Sequence, residues 1–198
     1  MEQKKKLTKR QAQAIQTKEN IYKVFIRLIE KKGFSNVTVE EISEKAGVSV
    51  GTFYHYYKSK NDIFIEIFKQ GDDYFKEHVK KELKEGNALD RIVEFFKYYA
   101  IFNSSNGIDF IQQLFSTRSS MFNREGGYMQ TLLQEIIREG QERKEISIET
   151  SPEEITRFMF ISVRGLVYDW CLHIENDQYD LEEAILQYTK RLVTLFKP

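Results

Sequence analysis

Little in this 198-residue chain interrupts it: two prolines, ten glycines and a single cysteine. One cysteine excludes an intrachain disulfide framework and a multi-cysteine zinc site. Cys171 sits in Tyr168-Asp169-Trp170-Cys171-Leu172, the setting of a packed thiol. The three histidines, His55, His78 and His173, are far apart and show no metal-ligand spacing. Neither GxGxxG nor GxxxxGK[ST] occurs, so no phosphate-cradling loop is encoded. The carboxylate pairs Glu40-Glu41 and Glu182-Glu183 read as charges at helix starts. No enzyme, metal or cofactor is expected. No apolar run reaches the roughly 18 residues that span a membrane, and no hydrophobic segment follows the basic N-terminus. A cytoplasmic protein with no membrane partner is expected.

An excess of either charge is also missing from the whole, with 30 Lys+Arg against 30 Asp+Glu. The segments differ. Residues 1–60 hold 13 basic and 6 acidic residues, a net of +7, and residues 61–198 carry the opposite net of −7. A basic front joined to an acidic back suggests a polyanion-binding module attached to something else. Part of the basic excess lies in the tail, at Lys4, Lys5, Lys6, Lys9 and Arg10. That tail can track phosphates or act as a solubilising end.

What the chain has in plenty is helical periodicity. Ile21, Val24, Phe25, Leu28 and Ile29 recur on one helix face, and Lys31-Lys32-Gly33 closes it. Thr38 with Glu41 has capping-box form, opening a short helix that Gly47 ends. Ser49 caps another short segment, 50–57, and Ser59 with Asp62 starts a longer helix. Segments 87–102, 108–115 and 128–145 follow, the last broken by Gly140. Ser151-Pro152-Glu153-Glu154 is the strongest start signal, for a helix to about His173. Leu181, Ile185, Tyr188, Leu192 and Leu195 form a coiled-coil-like seam on the last helix. Only residues 146–148 look extended. The expected fold is all-α with about nine helices. A basic, polyanion-binding domain over 1–60 would precede a second, acidic domain over 61–198.

Two short helices joined at Gly47 in a basic segment suggest a helix-turn-helix. Gly47 supplies the positive φ of the turn. Ile42, Ala46, Val48 and Phe53 suit the helix crossing. The second helix then presents Val50, Gly51, Thr52, Tyr54 and His55, with Lys58 and Lys60 beyond it. Ala46-Gly47-Val48-Ser49, Gly51-Thr52-Phe53-Tyr54, Tyr56-Tyr57 and Lys58-Ser59-Lys60, in that order and spacing, resemble the DNA-binding domain of the tetracycline-repressor (TetR) family over about residues 15–68. Tyr54-His55-Tyr56-Tyr57 departs mildly from the family's aromatic ending. The resemblance implies that Ser49, Val50, Gly51 and Thr52 approach the major groove. It also implies that Tyr54 and His55 reach bases or phosphates and that Lys58 and Lys60 neutralise phosphates. Thr38 would hold a phosphate at a helix N-terminus. Phe53, Tyr56 and Tyr57 are assigned to packing.

The same resemblance implies a C-terminal domain that binds a ligand and dimerises. Twenty of the 27 aromatics follow residue 60, enough to line a cavity or to fill a helical core. Pocket candidates are Tyr98, Phe102, Phe110, Leu114, Arg118, Tyr128, Arg164 and Tyr168. Arg118 and Arg164 either meet a ligand's anionic group or pair with Glu135 or Asp169; spacing does not decide. Dimer candidates are Ser162, Gly165 and Asp169, whose small residues permit close helix approach, with Leu181, Ile185, Tyr188, Leu192 and Leu195. A homodimeric, sequence-specific transcriptional regulator is expected, a repressor released from a pseudo-palindromic DNA operator by an unknown lipophilic or aromatic small molecule. The alternative is a nucleoid-associated or protein-regulated DNA-binding factor with no inducer.

Overall fold

The computed structural model describes residues 8–108, 111–112, 115, 127–173 and 179–198. These residues are all-α with no strand, as the periodicity predicts. They hold eight helices: α1 (Lys9–Lys32), α2 (Val39–Ala46), α3 (Val50–Tyr56), α4 (Asp62–Tyr74), α5 (Ala88–Ser105), α6 (Tyr128–Glu142), α7 (Pro152–Leu172) and α8 (Leu181–Leu192). The expected segment 108–115 falls partly outside the described residues. The chain divides into two compact units, Met1–Glu66 and Ile67–Pro198, six residues beyond the boundary drawn from charge.

In the first unit α1 buries the stripe the sequence shows: Ile21, Phe25, Leu28 and Ile29 are each at most 6 % exposed. Its start was not legible as a cap, yet Thr8 and Gln11 form a reciprocal capping box. Gly33 ends it, donating its N–H to the Ile29 carbonyl at 2.8 Å. Thr38 caps α2 through the Glu41 N–H at 3.2 Å, but the box is only half built. The Glu41 carboxylate turns instead to the Lys32 ammonium, joining α2 to the end of α1. Asn20 donates to the Ala46 carbonyl at 2.9 Å and ties α1 to the other end of α2.

In the second unit four helices close a ring of neighbours: α5 meets α6, α6 meets α7, α7 meets α8, and α8 returns to α5. Its centre is aromatic. Phe160 of α7 meets Phe95, Phe96 and Tyr99 of α5 edge-on, at centroid separations of 6.0, 5.5 and 5.8 Å. This is a favoured geometry for ring quadrupoles. These rings fill the core. The end of α4 continues through a π-helical turn, Phe75–Val79, which sets Phe75 against Phe95 at 4.8 Å.

Gly140 lies inside α6 and does not break it. The glycine is there because the start of α5 passes too close for a side chain: a Cβ would stand 2.4 Å from Ala88 Cβ. Arg91, 8 % exposed, ties the same region by donating to the Leu83 carbonyl at 2.7 Å and to Glu139 at 2.6 Å. The start of α7 matches its sequence signal fully, with Ser151 and Glu154 in a reciprocal box and Pro152 in the first turn.

Candidate functional site

The helix-turn-helix is built from local signals. Gly47 adopts φ 67°, ψ 32°, left-handed values that side chains disfavour, and its N–H donates to the Glu44 carbonyl at 3.1 Å. Val48 N–H closes onto the Ser43 carbonyl at 3.0 Å, completing the turn. Ile42 and Phe53, both 0 % exposed, and Ala46 form the crossing that holds α3 on α2.

Buried Phe53 fixes which side of α3 faces out. Ser49, Gly51, Tyr54, His55 and Lys58 are exposed, and Val50, Thr52 and Lys60 are half-buried. Thr38 is exposed at the start of α2. The Ser49 hydroxyl accepts the Thr52 N–H at 3.0 Å and pairs with the Thr52 hydroxyl at 2.9 Å. No acidic residue occupies the first turn of α3. The first turn of α2 carries Glu40 and Glu41. Ser49→Ala is expected to lower stability by about 1 kcal/mol through loss of the α3 cap, read as a lower urea midpoint.

Asp62 accepts from the Ser59 hydroxyl at 3.3 Å, the pair the sequence shows. Two features here escaped the sequence. Asp62 also staples the turn after α3 by accepting from Lys58 N–H at 2.8 Å. Lys60 does not simply project into solvent. Its ammonium donates to the carbonyls of Phe34 and Val37, each at 2.9 Å, and stands 4.2 Å from the centre of the Phe34 ring. Burial pushes its pKa below the usual lysine value. A nearby cluster joins α1 to the end of the unit: Lys18 pairs with Glu66, and the Tyr57 hydroxyl donates to the Lys18 carbonyl at 3.4 Å. Burial and the Glu66 charge push the pKa values of Tyr57 and Tyr22 well up.

The matching family model is that of bacterial regulatory proteins, tetR family, and it matches residues 21–67, the helix-turn-helix with its flanking helices. The likeness to the tetR family rests on this helix-turn-helix segment. Among curated relatives, the Bacillus subtilis "Fatty acid metabolism regulator protein" is 27% identical over 165 residues, 79% of this chain and 83% of that one. The crystal structure of Bacillus subtilis FadR in complex with stearoyl-CoA aligns with a TM-score of 0.71 at 21% identity, over 89% of this chain and 97% of that one. Thermus thermophilus FadR in complex with lauroyl-CoA aligns at 0.66 and 20% identity, over 89% and 93%. These relatives are regulators, not enzymes.

The candidates in the second unit separate by burial. Tyr98, Phe102, Tyr128 and Arg164 are half-buried. Phe102 stacks on Tyr74 at 6.3 Å, and the Arg164 guanidinium lies 5.2 Å from the centre of the Phe160 ring. Glu135 pairs with Lys80 at 3.3 Å, and Asp169 accepts from the Tyr179 hydroxyl at 2.9 Å. Phe110, Leu114 and Arg118 lie outside the described residues. Tyr168 is 49 % exposed, and its ring meets Phe115 edge-on at 5.5 Å.

The dimer candidates also divide. Leu181 and Ile185, 3 % and 0 % exposed, are core residues and not interface. The seam they begin turns inward because α8 rests on α5 and α7 of its own subunit. Gly165, Tyr188 and Leu195 are exposed, and Ser162, Asp169 and Leu192 are half-buried. Sequence reasoning missed Phe158, Ile161 and Leu172, which are 42 %, 58 % and 59 % exposed. Together with Gly165 and Tyr168 they are spaced three, four, three and four, which was the available signal. Among the described residues no helix is long and apolar enough to cross a membrane.

Proposed function

We propose that this protein is a tetR-family regulator, a homodimer that binds a pseudo-palindromic operator through α3 and releases it on binding a long-chain acyl-CoA. The observation that carries the ligand is the likeness, along nine-tenths of the chain, to two folds solved with stearoyl-CoA and lauroyl-CoA. In this reading Ser49, Val50, Gly51, Thr52, Tyr54 and His55 meet the major groove, while Lys58 and Thr38 meet phosphates. A Cβ at Gly51 would touch nothing closer than Ser49 Oγ at 3.7 Å, so the chain's own fold does not demand that glycine. A groove brought close to the backbone does.

The acyl chain suits a unit rich in aromatic and aliphatic side chains. Tyr98, Phe102 and Tyr128 are its candidate contacts, and Arg164 is the candidate for an anionic group. Release follows from linkage: the acyl-CoA binds more tightly to a conformation whose recognition helices no longer match the two half-sites. Dimerisation is assigned to the outer face of α7, centred on Gly165, with Tyr188 and Leu195. Contiguous exposed apolar residues mark such surfaces.

The test begins with a duplex selected by the protein from a randomised library and followed by fluorescence anisotropy. Stearoyl-CoA is expected to raise the Kd for that duplex by roughly tenfold or more, within the usual range of allosteric coupling. Free CoA should not. Retained DNA binding with no response to stearoyl-CoA overturns the ligand. Failure to prefer any duplex over random DNA at moderate salt overturns the regulator.

A further inference from the structure

We propose that Lys60 is a positioning residue for DNA recognition, acting through the turn before α2 and not as a phosphate contact. The proposal rests on the DNA-binding reading above.

The turn from Gly33 to Val37 ends in a single 3-10 turn, Phe34–Asn36. Such an end leaves carbonyls without helical donors. Val37 N–H donates to the Phe34 carbonyl at 3.2 Å, and the Lys60 ammonium adds a second donor to that same oxygen. The ammonium also takes the Val37 carbonyl. Two of its three N–H donors are thereby directed at backbone. Its charge faces the Phe34 ring, which meets buried Phe25 edge-on at 6.2 Å. A cation held by carbonyls and a ring is partly desolvated, which agrees with its lowered pKa.

The placement gives this contact its consequence. Val37 directly precedes Thr38, the cap of α2. Lys60 stands four residues beyond Tyr56, where α3 ends. One ammonium therefore fastens the start of the first helix of the motif to the far end of the second. Thr38 and the outward face of α3 are held in one arrangement by it. Turning the ammonium to a phosphate would abandon both carbonyls.

Lys60→Met and Phe34→Leu test this, each on the duplex selected by the wild-type chain and at a temperature where circular dichroism shows the variant folded. Lys60→Met keeps the length and removes the charge; Phe34→Leu removes the ring and keeps the lysine. Both are expected to weaken binding to the selected duplex by roughly tenfold, the scale of a lost charge-assisted hydrogen bond. The slope of log K against log salt should stay at the wild-type value in both. The double variant should be little worse than either alone, because the two act through one contact. A slope shallower by about 0.9 in Lys60→Met, with Phe34→Leu unaffected, would make Lys60 a phosphate contact and overturn the proposal. Wild-type affinity in a folded Lys60→Met would overturn it as well. A wild-type chain that selects no duplex instead overturns the DNA-binding reading on which it stands.

Discussion

Gly140→Ala is expected to destabilise the C-terminal unit by roughly 3 kcal/mol, at the upper end of what overpacking a filled core costs. The new Cβ would stand 2.4 Å from Ala88 Cβ and 2.8 Å from Ile146 Cδ1. Neither neighbour can yield cheaply. Ala88 has no rotamer to change, because its Cβ is bonded to the backbone, and its N–H is held by the Glu145 carboxylate at 2.6 Å. Ile146 is 1 % exposed, and its N–H and that of Glu145 both donate to the Gly140 carbonyl, at 3.2 and 2.8 Å. The strain thus falls on the α5–α6 approach. Urea denaturation should show it as a lower midpoint with the slope preserved. Ala88→Gly in the same chain removes the nearest atom and should restore part of the loss, despite its own cost of about 0.5–1 kcal/mol in a helix. A Gly140→Ala protein as stable as the parent would show that the helices separate freely at this point.

Ile161→Glu is expected to turn a dimer into a folded monomer. Ile161 is 58 % exposed in the isolated subunit, so a carboxylate there leaves the subunit core untouched. Across a two-fold axis through the outer face of α7 it would meet apolar neighbours and its own copy. Burying an unpaired charge there opposes association. Sedimentation should report half the parent mass with an unchanged helical spectrum. Affinity for a two-half-site duplex should fall by roughly a hundredfold, because two tethered recognition helices gain from effective concentration what single ones do not. A dimeric Ile161→Glu protein would move the interface elsewhere. Leu181→Glu is the contrasting control: at 3 % exposure its carboxylate enters the subunit core, and unfolding is expected in place of dissociation.

The elements the sequence reveals are those whose cause is local. Thr38, Ser49 and Ser151 cap helices through N–H groups within three residues, and Gly47 needs a left-handed turn at its own φ and ψ. Each cause lies within a few residues of its effect, and each is legible. Gly140 looks like a helix breaker because glycine weakens helices locally. Its actual cause, Ala88, is brought against it by tertiary packing. The periodicity of Leu181 and Ile185 shows that one face of α8 is buried, but not whether a neighbouring helix or a second subunit buries it. Lys60 reads as a surface cation because a sequence does not show which carbonyls lie above it. Exposure on α3 was legible, since Phe53 alone sets the face that turns inward.

Helix α6 begins without a cap of its own. Gly127 stands at the N-cap position with no side chain to offer, and the missing acceptor is the Asp72 carboxylate on α4, which takes the Met129 N–H at 3.0 Å. The first turn of α6 is therefore conditional in the order of folding. Joining residues 72 and 129 closes a span of 57 residues, whose entropy must be overcome before that turn gains its partner. Most helices in this chain can nucleate on their own termini, whereas α6 must grow from its middle and acquire its beginning only after α4 has arrived.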